Sequence, residues 1–245
     1  MSTARLVPVE RAFFEQPVVA LARALLGALL VRRIGGAQLV GRIVETEAYG
    51  GEGIDPSAHS FRGPTPRCEV MFGPAGRAYV YTTHQGRCCL NVTATGDGGG
   101  KAVLLRALEP WHGAERMHAH RIEGLADGPT RARLLARGGR DPQLASGPSR
   151  LCQCLAVDRA LNGVALTDPR SALFIAAPPR GVADVSALWT PRIGLNPGSA
   201  SFGWRWRALD GGSPAVSGPR RPAGAGPAPQ PRQCPAPRGR RAGTR

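Results

Sequence analysis

The sequence predicts an α+β fold arranged as a single mixed domain. Apolar residues follow helical spacing in some segments and strand alternation in others, and the segments show no regular βαβ rhythm. The chain has no internal repeat, and its 245 residues are enough for one substantial core. An antiparallel sheet with helices packed on it is therefore favoured over a doubly wound parallel sheet.

The N-terminal part of the chain reads as one helix followed by a β-hairpin. Residues 17–30 carry apolar side chains at helical spacing, and Gly27 suits the end of that helix. Residues 28–49 then read as two strands. They are joined at Gly35-Gly36, which supplies the positive φ angles of a tight turn.

The middle of the chain adds a second hairpin, a strand and a helix. Residues 77–94 read as two strands that turn near Gly86. The apolar run 102–108 is a further strand, and Pro110 suits the opening of a helix over residues 111–121.

The following part of the chain is expected to add one more helix and two strands. Residues 146–157 read as a loop entering a helix, with Ser149 as its N-cap. Short strands are expected at 171–177 and 204–209.

The chain is strongly basic, and arginine supplies the charge. The formal net charge is +15, and Lys101 is the only lysine. Residues 217–245 contain seven arginines, no acidic or aromatic residue and no apolar periodicity, so we expect a disordered tail. Residues 1–216 form the domain and still carry +8. This charge favours a polyanionic partner such as nucleic acid, with a solvated basic surface as the alternative.

The sequence argues against membrane, secreted and zinc-binding classes. No segment has the about 20 consecutive apolar residues of a membrane span, and the N-terminus lacks the pattern of a secretion signal. The six cysteines form no CxxC pair, so their spacing does not suit a structural zinc site. We expect a cytoplasmic protein with reduced thiols, no metal and no cofactor.

The segment IVETEAY places two carboxylates in an otherwise apolar, strand-like run. Glu45, Glu47 and Tyr49 share one face of an extended strand, and Tyr79 and Tyr81 share a face of the second hairpin. Such acids could lie on a solvated face, and tyrosines often pack a sheet. In a basic protein they suggest instead a site where a nucleobase stacks and reacts.

Five blocks of the chain resemble, in order, the alkyladenine (3-methyladenine) DNA glycosylase family: IVETEAYGGEGIDPSAHS, TPRCEVMFGPAGRAYVYTTHQGRCCLNV, AVLLRALEP, GPSRLCQCLAV and PRIGL. The resemblance runs from about Val18 to Ser217 and implies a monofunctional enzyme without a cofactor. Such an enzyme flips a damaged purine out of duplex DNA and hydrolyses its N-glycosidic bond with water. The family fold implies a curved antiparallel sheet flanked by helices, with a protruding β-hairpin that inserts into DNA. We expect a monomer associated with the nucleoid.

The resemblance also implies catalytic roles. Glu47 takes the position of the general base that deprotonates the attacking water, and its negative charge suits an oxocarbenium-like transition state. Arg106 and the backbone carbonyl of Ile193 take the positions that hold this water. A structural ion pair within the sheet is the alternative for Arg106. Glu45 is then expected to form an ion pair or to give polar support behind the site.

By the same resemblance, four residues form the pocket for the flipped base: Tyr49, His59, Tyr81 and Asn91. Two rings would sandwich the purine, and their electron-rich faces would favour positively charged alkylated bases. His59 would contact the base by a hydrogen bond or by stacking. Asn91 would disfavour the exocyclic amine of guanine, although the sequence alone also allows a turn or strand-end residue.

Five residues are expected to contact DNA: His84, Thr65, Arg67, Met71 and Arg150. His84 stands at the hairpin tip, where the family commonly has a tyrosine that fills the gap left by the flipped nucleotide. Imidazole covers less of the neighbouring bases, so we expect a weaker wedge. Thr65, Arg67 and Met71 lie in a block that resembles a DNA-facing loop, and Arg150 lies near a helix N-terminus suited to phosphate.

Other functions explain less of the sequence. A non-catalytic basic nucleic-acid-binding protein would explain the charge but not the ordered set of acid, aromatic and arginine residues. A zinc base deaminase needs HxE and PCxxC patterns, which the chain lacks. A glycosylase-lyase needs an activated amine, and Lys101 shows no sign of activation. The expected partner is double-stranded DNA containing damaged purines.

Overall fold

The computed structural model describes residues 6–95, 97, 99–178, 187–195 and 205–208, with the backbone alone for 206–208. The tail expected to be disordered, residues 217–245, lies outside this part of the chain. So do the first and last residues of the strand expected at 204–209.

Helices and strands follow one another without a βαβ rhythm. The first half of the chain contains α1 (Val18–Ala24), β1 (Leu29–Ile34), β2 (Ala37–Tyr49), β3 (Ala78–Thr82), β4 (Cys88–Thr93) and β5 (Ala102–His112). The second half contains α2 (Ala114–Glu123), α3 (Pro129–Arg137), α4 (Pro148–Cys154), β6 (Leu173–Ala176), β7 (Ala187–Thr190) and β8 (Arg205–Ala208). Short 3-10 helices lie at Arg11–Phe13, Glu69–Phe72, Gly138–Arg140 and Arg159–Leu161.

The strands form one antiparallel sheet in the order β3-β4-β5-β2-β1-β6. β8 pairs with the C-terminal half of β2, past the end of β1, and also with β7. Register shifts in the long β2–β5 pair mark bulges, which bend and twist a sheet. The curved antiparallel sheet confirms the predicted α+β fold and single mixed domain, whereas insertion of a hairpin into DNA stays a prediction.

The two faces of this sheet differ in character. One face buries apolar residues of alternate positions, such as Leu90, Val103 and Leu105, in one cluster with Leu21 of α1 and Leu151 of α4. The opposite face of the sheet carries Glu45 and Glu47 of β2, Tyr79 and Tyr81 of β3, and Asn91 of β4. The fold thus supplies a rigid apolar layer behind a polar surface.

Local signals set most of the turns. Gly35 and Gly36 adopt the predicted positive φ angles, 53° and 73°, between β1 and β2.

The prediction that Ser149 caps α4 is wrong. Gly147 is the N-cap and Pro148 the first helical residue, where a fixed φ and a missing N–H are tolerated.

The prediction that Pro110 opens a helix is also wrong. β5 continues through Pro110 to His112, and α2 begins at Ala114. Pro110 lies opposite Gly41 at a register shift, where the regular hydrogen-bond ladder is already interrupted. Proline is accepted in a sheet at such irregular positions.

Candidate active site

A cavity of about 310 Å³ opens on the polar face of the sheet. Strands β2 to β5 contribute alternate residues to its wall, among them Tyr49, Tyr81, Asn91 and Arg106. The rest of the wall comes from the loop that carries His59, from the start of α4 and from residues 193–195. The volume is at the lower end of the range for small-molecule pockets.

Glu47 lies fully buried behind this wall. Its Oε2 accepts hydrogen bonds from the Tyr49 hydroxyl and from Nη1 of Arg106, both at 3.1 Å. Its Oε1 accepts the backbone N–H of Ile193 at 2.8 Å. All three donor residues line the cavity. A carboxylate oxygen can accept two hydrogen bonds, and among the described residues Oε1 accepts one, from Ile193.

Arg106 reaches the acids from a β-bulge. The register of β5 against β2 skips Arg106, which is therefore the extra residue, and bulges re-aim side chains in this way. Its Nε donates to Oε1 of Glu45 at 3.2 Å, while Nη1 donates to Glu47. Burial opposes its charge, but the attraction of Glu47 and Glu45 outweighs that effect and raises the pKa of Arg106.

Glu45 forms ion pairs, one of the two roles expected for it. It is fully buried and accepts hydrogen bonds from Arg106 and from Nη1 of Arg205, each at 3.2 Å. Arg205 is itself oriented by Thr190, whose hydroxyl accepts its Nε at 2.6 Å. Two carboxylates and two guanidinium groups thus balance one another in a buried network, which limits the cost of burying the charges.

His59 stands at the cavity with its ring edge against Tyr81. The ring centroids are 4.5 Å apart at an interplanar angle of 84°. Its Nδ1 is 2.9 Å from the Tyr79 hydroxyl, and its Nε2 is 3.4 Å from Nη2 of Arg67. Arginine can only donate, so Nε2 accepts and Nδ1–H donates to Tyr79. Burial and then the charge of Arg67 lower the pKa of His59 to about 4, so the ring is neutral at pH 7.

Tyr49 lies between Glu47 and Arg192. The guanidinium carbon of Arg192 is 4.7 Å from the centroid of the Tyr49 ring. Burial and the charge of Glu47 raise the pKa of Tyr49, with Arg192 opposing them. The phenol therefore stays protonated and donates to Glu47. Arg192 also forms a fully buried ion pair with Asp55.

Asn91 lies inside β4 and not at a turn. It is buried, lines the cavity, and donates its Nδ2 to the backbone carbonyl of Tyr79 at 3.1 Å. Leu104 of β5 is its partner across the strands and also lines the cavity. The two residues together form the floor of the cavity between β3 and β2.

His84 occupies the tip of the β3–β4 hairpin and is exposed. The turn beneath it is closed by hydrogen bonds from the Thr83 N–H to the Arg87 carbonyl at 2.8 Å and from the Gly86 N–H to the Thr83 carbonyl at 2.9 Å. The imidazole is thus presented at the end of a well-formed hairpin.

The other residues expected at DNA are divided between the surface and the cavity. Thr65 and Arg67 are exposed, and the Arg67 guanidinium lies 5.4 Å from the Tyr81 ring centroid. Met71 is only 3% exposed and lines the cavity. Arg150 is half-buried near the start of α4, where it donates to the Ser146 carbonyl at 3.3 Å.

Sequence reasoning did not find every residue around the site. Arg205 lies 160 positions from Glu45, and Arg192 lies 137 positions from Asp55. No local pattern marks such pairs, because each partner alone reads as an ordinary charged residue. Cys89 also lines the cavity, on the same face of β4 as Asn91, and strand alternation could have indicated it.

The part of the chain that the structure describes has neither a metal-binding cluster nor a membrane-spanning helix. It contains no group of three or more His, Cys, Asp or Glu able to hold a metal ion. None of its helices is long and apolar enough to cross a membrane. The cysteines at positions 68, 88, 89, 152 and 154 are free thiols.

The chain is similar to known proteins over most of its length. Residues 12–211 match the family model described as methylpurine-DNA glycosylase (MPG). Relatives named "Putative 3-methyladenine DNA glycosylase" occur in several organisms. The one from Koribacter versatilis is 44% identical over 89% of this chain and 97% of its own length. Those from Herpetosiphon aurantiacus and Methanoculleus marisnigri are 40% and 42% identical, over 85% and 75% of this chain and 88% and 86% of their own lengths.

Proposed function

This chain belongs to the methylpurine-DNA glycosylase family, and from that premise we propose that it releases alkylated or deaminated purines from duplex DNA with a water molecule activated by Glu47. Membership makes it a DNA glycosylase, a hydrolase for the repair of alkylated DNA. The flipping of the base, the lesion class and the role of each residue are the proposed part.

One observation carries the proposal. A buried carboxylate, Glu47, accepts hydrogen bonds from three residues that also line a cavity of about 310 Å³. A carboxylate held by a phenol, a guanidinium and a backbone N–H has a fixed orientation, as a general base requires. A non-catalytic binder would have no need to bury a carboxylate beside its pocket.

For an alkylated purine, which already carries a positive charge, the reaction needs only water and the residues of the chain. A neutral lesion such as hypoxanthine also needs an acid that protonates the leaving base. Water adds to C1′ of the sugar, the N-glycosidic bond breaks, and the base leaves with the bonding electron pair. Glu47 takes the proton of the water at the second acceptor position of Oε1, next to the Ile193 N–H. Its charge stabilises the oxocarbenium-like transition state. Arg106 and the Ile193 N–H hold the carboxylate. Arg106 and the backbone carbonyl of Ile193 would hold the water.

The arrangement of the strands suits a planar base. β4 and β5 lie between β3, which carries Tyr81, and β2, which carries Tyr49. Three strand spacings separate β3 from β2, which is about 14 Å on a flat sheet. This distance lets two tyrosines lean towards each other and leave a slot between their rings. Asn91 and Leu104 would form the floor of the slot. The neutral His59 would contact the base without repelling a positively charged purine.

Exposed and half-buried residues around the cavity would hold the duplex. His84 at the hairpin tip would enter the space left by the flipped nucleotide, while Thr65, Arg67 and Arg150 would contact the DNA backbone. Met71, which lines the cavity, would lie where the flipped nucleotide enters.

The central test is release of free base from methylated duplex DNA. We expect Glu47→Gln to lower single-turnover release by about 100-fold or more, because the amide keeps the shape but cannot take a proton. Its affinity for the same DNA should be retained. The matched control is Glu45→Gln on the same strand, which we expect to lower stability or rate without abolishing release.

The outcomes separate the alternatives. Full release by Glu47→Gln, or abolition by Glu45→Gln alone, would reverse the two assignments. Tight DNA binding by the wild-type protein with no release of any damaged purine would favour the non-catalytic nucleic-acid-binding protein. A screen of 3-methyladenine, 7-methylguanine, hypoxanthine and ethenoadenine would define the lesion class.

A further inference from the structure

Asp55 and Arg192 form a buried ion pair outside the network of Glu45, Glu47 and Arg106. Both side chains are completely buried. The pair is bidentate, with Nη2 donating to Oδ1 at 3.0 Å and Nη1 donating to Oδ2. Such forked pairs fix both partners in one geometry. Neither residue lines the cavity, so neither can touch a bound base.

Asp55 organises the loop between two pocket residues. Its Oδ2 accepts the N–H of Gly50 at 3.1 Å and its Oδ1 accepts the N–H of Ser57 at 3.0 Å. The loop between these contacts begins just after Tyr49 and ends just before His59. One carboxylate therefore sets the path of the chain that joins two walls of the cavity.

Arg192 holds the strand and the ring beside Glu47. Besides its bonds to Asp55, Nη1 donates to the backbone carbonyl of Ala48 at 3.0 Å. Its guanidinium carbon lies 4.7 Å from the centroid of the Tyr49 ring, and Arg192 is buried and does not line the cavity. The position of the Tyr49 hydroxyl, a donor to Glu47, thus depends on Arg192.

The Arg192 side chain also anchors the segment that contains Ile193, whose N–H is a second hydrogen-bond donor to Glu47. Ile193 follows Arg192 directly, and its N–H donates to Oε1 of Glu47 at 2.8 Å. A displacement of the Arg192 side chain would move this amide, because one residue of backbone connects them. Stability alone is a weak reason for such a pair, since buried ion pairs often stabilise no better than packed apolar residues.

We propose that Asp55 and Arg192 are positioning residues for the Glu47 site, which together fix the Tyr49 ring and the Ile193 amide on the carboxylate. Their catalytic consequence rests on the proposed function of Glu47. They act through Tyr49 and Ile193 and touch neither base nor water.

The test compares two buried aspartates with similar partners. Asp55→Asn removes the charge that holds Arg192. The matched control, Asp141→Asn, alters a buried carboxylate that accepts Nε of Arg133 at 3.0 Å and the Gln143 N–H at 2.9 Å, away from the cavity. Both variants should lower the melting temperature.

Three measurements compare the variants with the wild type. They are the single-turnover rate per folded molecule on the lesion that the wild type releases fastest, the affinity for that DNA, and hydrogen exchange of the Ile193 amide.

We expect Asp55→Asn to reduce the rate by about 10- to 100-fold, the usual consequence of a misplaced catalytic group, with affinity changed by less than about twofold. The Ile193 amide should exchange faster than in the wild type. Asp141→Asn should leave both the rate and the Ile193 exchange unchanged. If Asp55→Asn does not fold, Arg192→Lys carries the test, since it keeps the charge but loses the fork.

Equal rates per folded molecule in the two aspartate variants, or unchanged exchange of the Ile193 amide in Asp55→Asn, would overturn the proposal. Failure of the proposed function is a separate result. A wild-type protein that releases no base would refute that function, and the Ile193 exchange would still decide whether the pair positions this amide.

Discussion

Glu45 and Glu47 stand two residues apart on β2, yet their surroundings divide them into different roles. Strand alternation predicts that both point to one face, and both do contact Arg106. The structure separates them by their other partners. Glu47 meets Tyr49 and Ile193 at the cavity, whereas Glu45 meets Arg205 behind it. Alternation could predict the shared face, but Arg205 enters from β8, whose pairing no local pattern specifies.

At the same scale, the pKa of His59 should lie far below that of an ordinary histidine. Its pKa is lowered from 6.5 to about 4, first by burial and then by Arg67. Between these two values the unfolded chain binds more protons at this residue, so the free energy of unfolding should decrease as the pH falls from 6.5 towards 4. NMR titration of the His59 ring proton measures the midpoint directly.

The control for this prediction is Arg67→Gln. It removes the smaller of the two causes, so the midpoint should rise but stay below 6.5. A wild-type midpoint near 6.5 would contradict the effect of burial and of Arg67 on the pKa of His59.

At the scale of elements, local pattern predicted the hairpins well and the longer elements less well. Both hairpins carry alternating apolar residues and turn glycines, and they form where expected. β5 runs past Pro110 because its register against β2 shifts there: Gly41 lies opposite Pro110, and Trp111 of β5 has no partner on β2. Such a shift is a property of the pair of strands. α3 was not predicted, since its apolar residues are few and Leu134 is its one buried side chain. Tertiary contacts therefore decide what propensity leaves open.

The β3–β4 hairpin makes a prediction about base flipping. His84→Tyr should increase the equilibrium extent of flipping by about fivefold, or about 1 kcal/mol, because a larger ring recovers more of the stacking lost by the bases. Fluorescence of 2-aminopurine placed next to the target base reports the flipped state. The matched control is Gln85→Tyr, which puts the same ring one residue along the exposed tip. Unchanged fluorescence with His84→Tyr, or an equal gain with Gln85→Tyr, would mean that His84 is not the wedge.

At the scale of the whole molecule, composition predicted a polyanionic partner and left the reaction open. Residues 1–216 carry +8 of the charge of +15 and residues 217–245 carry the other +7, whereas the proposed chemistry depends on a few buried residues. Charge can therefore indicate DNA but not a glycosylase. The ordered motifs of the sequence indicated the glycosylase, because they specify the acid, the rings and the arginine that meet on one face of the sheet.

The charges of residues 1–216 and 217–245 predict how much each segment contributes to DNA affinity. Affinity for undamaged duplex should fall steeply with salt, by about 0.9 logarithmic units per logarithmic unit of salt for each phosphate contact. Replacing the seven arginines of residues 217–245 with glutamine in the full chain should make this dependence shallower, while single-turnover release at saturating protein stays unchanged. The matched control replaces the same arginines with lysine and should keep the wild-type dependence, since counterion release follows charge. An unchanged salt dependence in the glutamine variant would assign all phosphate contacts to residues 1–216, whose +8 would then have to account for the whole of the attraction.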